Sequence, residues 1–189
     1  MTSTRSALEI TEWGELEQKE SWNTRKLALA AVLGSVYAGY VTVFGFASFS
    51  VLQFRIVDAL LPLAALLGMP AVVGLTVGTL LGNLTSPFGL IDIVGGPTAN
   101  LLATSAAMLV GRRKFKGAWV SAILLQIAIV TVVVGSYVVV ATPEIPLWVG
   151  WLTFLGGEVL PIGILGYPLL RAMSKMTLIE RLKGVRKPS

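Results

Sequence analysis

Apolar residues run through this chain in long blocks separated by short polar punctuation. The first unbroken block, Leu27 to about Ala47, is long enough at about 1.5 Å per residue to cross the roughly 30 Å hydrocarbon core of a bilayer. Phe44 to Ser50 follows as a glycine- and aromatic-containing interfacial loop. From Arg55 to Asp92 a single helix would measure about 50 Å, well beyond one crossing. Gly68-Met69-Pro70 is the natural break, giving a second span from about Gln53 to Leu67 and a third from about Pro70 to Leu84. A turn-rich loop from Asn83 to Gly89 leads to a fourth span, about Leu90 to Val110, and the basic loop Gly111 to Lys116 to a fifth, about Ala118 to Val140. The Thr142-Pro143-Glu144-Ile145-Pro146 loop precedes a sixth, about Leu147 to Leu170. The pattern predicts an all-α membrane protein, a compact bundle of six transmembrane helices. Residues 1–24 form a polar N-terminal segment, 25–172 the transmembrane domain and 173–189 a basic tail.

Charge orients this layout. With six spans, Arg25-Lys26, the Arg112 to Lys116 loop and the C-terminal tail fall on one side, which the positive-inside rule makes cytoplasmic, so both termini are expected there. Composition agrees: 54% of the 189 residues are hydrophobic and 13% charged, against roughly 25% charged in a soluble domain. The net charge of +5 sits in short segments beside apolar runs, which suits anionic lipid and argues against a nucleic-acid partner. Without cysteine or histidine, thiolate metal sites, HExxH zinc sites and Ser-His nucleophiles are excluded, and no cofactor or metal is expected. No GxxxxGK[ST] stretch occurs, so ATP-driven work would need another subunit, and an enzyme is not the expected reading.

Polar side chains inside the apolar blocks are the candidate chemistry, because in hydrocarbon each needs a partner from protein, water or ligand. Gln53, Arg55 and Asp58 fall at the outer end of span two, Asn83 at the outer end of span three, Asp92 at the start of span four and Tyr137 near the outer end of span five. Asn100 lies about 12 Å below Asp92, and Glu158 about 16 Å below the start of span six, where Trp148 and Trp151 mark the interface. Arg55 and Asp58, three residues apart, are expected to pair on one helix face. Glu158 sits between Gly156-Gly157 and Pro161, a setting that allows close approach and frees a backbone carbonyl. This polarity predicts a cavity open to the outer face that binds a small molecule. In span one, two rows of small residues, Ala30-Gly34-Ala38 and Ala31-Ser35-Gly39, would let another helix approach closely, from a partner subunit or from the same bundle.

With these residues in view, the chain resembles the QueT family, membrane S components of energy-coupling factor (ECF) transporters. The resemblance rests on Gln53-Phe54-Arg55 followed by the acidic Asp58, on Gly82-Asn83-Leu84, on Leu90 to Gly95 and on Gly157-Glu158. Family members commonly carry Glu where this chain has Asp58. The resemblance implies uptake of a queuosine precursor, a 7-deazaguanine base or its nucleoside, with a transmembrane coupling subunit and two ATP-binding cassette subunits as partners. It also implies that the small-residue face of the first helix, here Ala30, Ala31, Gly34, Ser35 and Ala38, contacts the coupling subunit. A carboxylate such as Glu158 or Asp58 would accept the adjacent N–H groups of a guanine-like edge, Gln53, Asn83 or Asn100 would meet its carbonyl, and Tyr137, Phe54 or Trp151 would stack on the base. The alternatives are an S component for another vitamin-like nutrient and an autonomous proton-coupled secondary transporter.

Overall fold

The computed structural model describes residues 22–48, 55–113 and 115–176, and the described elements are all helical. The polar N-terminal segment to residue 21, Gln53, Phe54 and the tail beyond 176 lie outside the described residues. Helix α1 spans Thr24–Val43, capped by Asn23, whose Oδ1 accepts the Lys26 N–H at 2.9 Å. A short α2, Gly45–Ser48, stands where the interfacial loop was expected. Ile56–Leu63 is a 3-10 helix that runs on into α3, Ala64–Leu67; α4 covers Met69–Asn83, α5 Leu90–Gly111 and α6 Ala118–Ala141. The last membrane helix is continuous from Leu147 to Ser174 and has three parts: α7, Leu147–Glu158; a π-helical stretch, Val159–Leu165; and α8, Gly166–Ser174.

Four of these helices, Thr24–Val43, Leu90–Gly111, Ala118–Ala141 and Leu147–Ser174, are long and apolar enough to cross a membrane; Ile56–Leu67 and Met69–Asn83 are shorter apolar helices. Their outward side chains are those of a lipid-facing surface, with Leu27, Val36, Leu90, Leu124 and Ile164 each more than half exposed. The inside carries the polarity: Asp58, Asn83, Asp92, Thr79, Gln126 and Glu158 are all buried.

The segment from Ile56 to Leu67 forms the centre. Its 3-10 part packs against α1, α4, α5, α6, the π stretch and α8, and Leu61, Leu63 and Ala64 are essentially inaccessible. The expectation of an α-helix here is corrected. Pro62 has no N–H to give an i−4 carbonyl, and the tighter 3-10 winding, with a rise of about 2 Å per residue, stretches the segment to about 22 Å. The fifteen residues of α4 span a similar length, about 22 Å, so the two arms of the hairpin match. Between them Gly68 turns the chain with φ 72° and ψ −144°, a conformation closed to side-chain-bearing residues, and Pro70 starts α4.

Helices α1 and α4 form the closest pair. A Cβ on Gly34 would lie 2.8 Å from the Gly74 carbonyl oxygen, and one on Gly78 would lie 2.6 Å from that of Gly34 and 2.9 Å from the Tyr37 Cβ. Gly82 meets Val41 in the same way. Residue numbers rise together along this seam, so α1 and α4 run parallel. The Ala30-Gly34 row is therefore spent inside the subunit. That removes Ala30 and Gly34 from any face offered to a partner, because both are buried against α4. Ala31, Ser35 and Gly39 are exposed, Ala38 is half-buried, and a Cβ on Gly39 would meet nothing within 4 Å.

Candidate functional site

The hairpin geometry sets the depth of the site. Its turn lies at the basic-loop end, where a Cβ on Gly68 would stand 3.3 Å from an Arg112 guanidinium nitrogen. Arms of about 22 Å starting there stop about 8 Å short of the far side of a 30 Å core, which leaves Arg55 and Asn83 below that surface. Asp58, one 3-10 turn further in, is about 14 Å down; Glu158, counted from the start of α7, is about 16 Å down. The two acids, a hundred residues apart in sequence, meet at one level.

Two polar networks lie in this part of the bundle. In the first, the Tyr37 hydroxyl donates to Asp58 Oδ1 at 2.5 Å and accepts from Asn100 Nδ2 at 3.0 Å. Asn100 Nδ2 also donates to Thr79 Oγ1 at 2.6 Å, and Thr104 donates back to the Asn100 carbonyl. The Glu158 carboxyl comes within hydrogen-bonding reach of Asp58. Two ionised carboxylates are acceptors only, so a hydrogen bond forms between them when one carries a proton. Glu158 reaches inward from the junction of α7 and the π stretch, where Pro161 cannot give the regular i−4 bond.

In the second network, Asp92 Oδ1 accepts from the Tyr137 hydroxyl at 2.5 Å, and Asp92 Oδ2 lies 3.8 Å from Arg55 Nη2. Asn83 Nδ2 donates to the Asp92 carbonyl at 2.9 Å, and Arg55 Nε donates to the Ser48 carbonyl at 3.1 Å. Arg55 links the networks, since Tyr37, Asp58, Asp92 and Tyr137 all lie within its electrostatic reach. The expected Arg55–Asp58 salt bridge is corrected: Arg55 precedes the 3-10 helix with extended backbone, φ −98° and ψ 90°, and its guanidinium is aimed at α5.

Seven expected residues are thus brought together: Arg55, Asp58, Asn83, Asp92, Asn100, Tyr137 and Glu158. Gln53 lies outside the described residues. Trp151 does not join them. It is 39% exposed and its Nε1 donates to Ser136 Oγ on the outer face of α6 at 3.1 Å. Its ring packs against α6 beside Gly135. Sequence reasoning missed Tyr37 and Thr79. A phenol in the middle of the first span was the available signal, because a buried tyrosine hydroxyl needs a partner.

The glycines of α5 make room for this arrangement. A Cβ on Gly95 would lie 2.7 Å from the Tyr137 ring, and one on Gly96 would overlap the Asn83 amide. At the opposite end of the bundle a hollow of about 220 Å³ is lined by Arg113, Phe115, Trp119 and Tyr167, with no carboxyl or amide side chain on its wall. The hydrogen-bonding chemistry is in the buried cluster. Among the described residues no group of acids could hold a metal ion.

The family model of the QueT transporter matches residues 27–175 of the 189, which takes in every residue of the cluster. The chain belongs to the QueT transporter family. No curated protein and no solved structure matches the chain. Membership makes this a multi-pass membrane transport protein rather than an enzyme, in keeping with its four long apolar helices and with a small molecule as substrate.

Proposed function

We propose that this QueT transporter is the substrate-binding S component of an ECF-type importer that takes up a queuosine precursor, a 7-deazaguanine base or nucleoside. The observation that carries this reading is the convergence of Arg55, Asp58, Asn83, Asp92, Asn100, Tyr137 and Glu158 in one buried, connected cluster inside the bundle. Carboxyl and amide groups there match the donors and acceptors of a guanine-like edge, and Tyr137 supplies an aromatic face. The parallel run of α1 and α4 supports a return crossing by the 56–67 segment, hence six crossings with both termini in the cytoplasm and the cluster facing outward.

The coupling subunit and two ATP-binding cassette subunits complete the proposed importer. With Ala30 and Gly34 spent on α4, the exposed row Ala31-Ser35-Gly39 is the small-residue face left on α1 for docking. A leucine at Gly34 would disturb the subunit itself, so Gly39→Leu is the variant that tests docking. It should bind substrate normally and fail to assemble with the coupling subunit.

Mass spectrometry of the molecule that copurifies with the protein tests the substrate. A deazaguanine supports the assignment, and an unrelated vitamin replaces it. The Asp58–Glu158 contact favours one other reading, an autonomous transporter using that pair as its proton site. Uptake by the chain alone in liposomes, driven by a proton gradient without ATP, would establish it.

A further inference from the structure

The hollow of about 220 Å³ at the basic-loop end lies at the membrane boundary. Trp119, on its wall, belongs to the first turn of α6. Tyr167, also on its wall, is about 30 Å along the last helix from Leu147, which puts it at the far side of a hydrocarbon core of roughly that thickness. Tryptophan and tyrosine favour this headgroup level, where the apolar ring and the polar tip are both accommodated.

Charge at this end is of one sign. Arg112, Arg113, Lys116, Arg171 and Lys175 are all exposed. The acids among the described residues are Asp58, Asp92 and Glu158, which belong to the buried cluster, and Glu144, which sits in the loop between α6 and α7 at the opposite end. Among the described residues, therefore, no carboxylate pairs with Arg113, and the wall of the hollow offers it none. Beyond the hollow the surface turns apolar. Val120, on the wall, is followed one turn further into the core by Leu124, and Tyr167 is preceded one turn further in by Ile164. Val120 is nearly half exposed, and Leu124 and Ile164 more than half. A cationic pocket at headgroup depth thus opens onto two apolar tracks that run toward the bilayer centre.

We infer that this hollow holds the head group of one anionic phospholipid from the leaflet on the basic-loop side. Arg113 meets the phosphodiester, to which a guanidinium presents paired, charge-assisted N–H donors. Trp119 and Tyr167 border the glycerol region, and the acyl chains lie along Leu124 and Ile164. A zwitterionic lipid carries the same phosphate but brings a cation of its own into a region already in positive surplus, so an anionic head group is preferred. Each lysine or arginine near the surface strengthens such binding about fivefold. The inference does not depend on what the buried cluster binds.

The test is native mass spectrometry of the full-length protein released from liposomes of phosphatidylglycerol and phosphatidylcholine in equal amounts. One phosphatidylglycerol should be retained per protein, at least about fivefold in preference to phosphatidylcholine. Arg113→Gln should lower that preference about fivefold, whereas Lys175→Gln, which removes the same charge from outside the hollow, should leave it unchanged; thermal unfolding of each variant verifies its fold. Equal retention of the two lipids overturns the inference. So does an equal loss in both variants, which would reduce the effect to diffuse surface charge. Displacement of the lipid by inorganic phosphate would make the hollow a site for the free anion and overturn the lipid assignment. Lipid retention that appears only after Glu9, Glu12, Glu15, Glu17 and Glu20 are replaced by Gln would do the same, because the acidic N-terminal segment would then be the occupant.

Discussion

Replacing Tyr37 by Phe isolates the hydrogen bond at the centre of the cluster. Tyr37 is completely buried, and its hydroxyl serves Asp58 Oδ1 at 2.5 Å and Asn100 Nδ2 at 3.0 Å. Phenylalanine keeps the ring, so the transfer and cavity costs that dominate most core truncations are nearly absent. The remaining loss falls on the two partners. Asn100 Nδ2 keeps Thr79 at 2.6 Å, which bounds the cost on that side, whereas Asp58 loses the hydroxyl donor of its Oδ1 in a position only 2% exposed. A hydrogen bond to a charged group contributes roughly 1.5 to 3 kcal/mol, and this substitution should cost about that much. Equilibrium unfolding in mixed micelles measures it, and a double-mutant cycle with Asp58→Asn separates the pair from its surroundings. The two substitutions should be non-additive, because once Asp58 is an amide the tyrosine hydroxyl has less to offer. If Tyr37→Phe falls within about 0.5 kcal/mol of wild type, the range of a neutral surface change, and the cycle is additive, the Tyr37–Asp58 bond is not an organising contact.

Four further substitutions test the surroundings of the cluster. Gly78→Val should destabilise the bundle by about 1 to 3 kcal/mol or more, since even its Cβ would lie 2.6 Å from the Gly34 carbonyl oxygen, whereas Gly39→Val should be tolerated; equal unfolding midpoints for the two would refute the α1–α4 seam. Gln126 is fully buried in α6, and among the described residues neither of its amide atoms has a hydrogen-bond partner, so Gln126→Leu should stabilise by about 1 to 3 kcal/mol, and a loss of stability would mean that the amide has an essential partner. Trp151→Phe should leave substrate affinity unchanged by calorimetry, because the indole lies on the outer face of α6; a tenfold weakening would place the ring in the binding path.

How much of this was legible in the sequence follows from what each feature depends on. The break at Gly68-Met69-Pro70 was readable because a positive-φ glycine and a helix-starting proline act locally. The gathering of Asn83, Asp92, Asn100, Tyr137 and Glu158 was readable because polar groups in hydrocarbon must find one another and depth along a helix is countable. The partner of Arg55 was not. An i,i+3 argument presupposes α geometry, and a 3-10 helix with an extended residue ahead of it sends the guanidinium to α5 instead. Nor could spacing decide which row of small residues faced outward, because Ala30-Gly34 and Ala31-Ser35 look alike until the parallel run of Gly74, Gly78 and Gly82 is placed beside one of them. Tyr37 was hidden for the same reason, as a phenol among apolar residues whose partner comes from another segment.

The seam and the site are therefore one device. Apolar surface gives little drive for helix association in lipid, so the bundle relies on close backbone approach, and glycines supply it. The positions where a Cβ would intrude are also the ones that admit the cluster's side chains: Gly78 beside Tyr37, Gly95 under the Tyr137 ring and Gly96 against the Asn83 amide. A substitution that pushes these helices apart by an ångström would lengthen bonds of 2.5 Å to Asp58 and Asp92 past the useful range. Stability and substrate affinity should then fall together for changes at Gly78, Gly95 and Gly96, and separate for changes at the exposed Gly39 and Gly156, where no neighbour lies within 4 Å. A Gly95→Ala variant that loses stability yet binds substrate with unchanged affinity would break that link, and would move the binding site away from Tyr137 and Asp92.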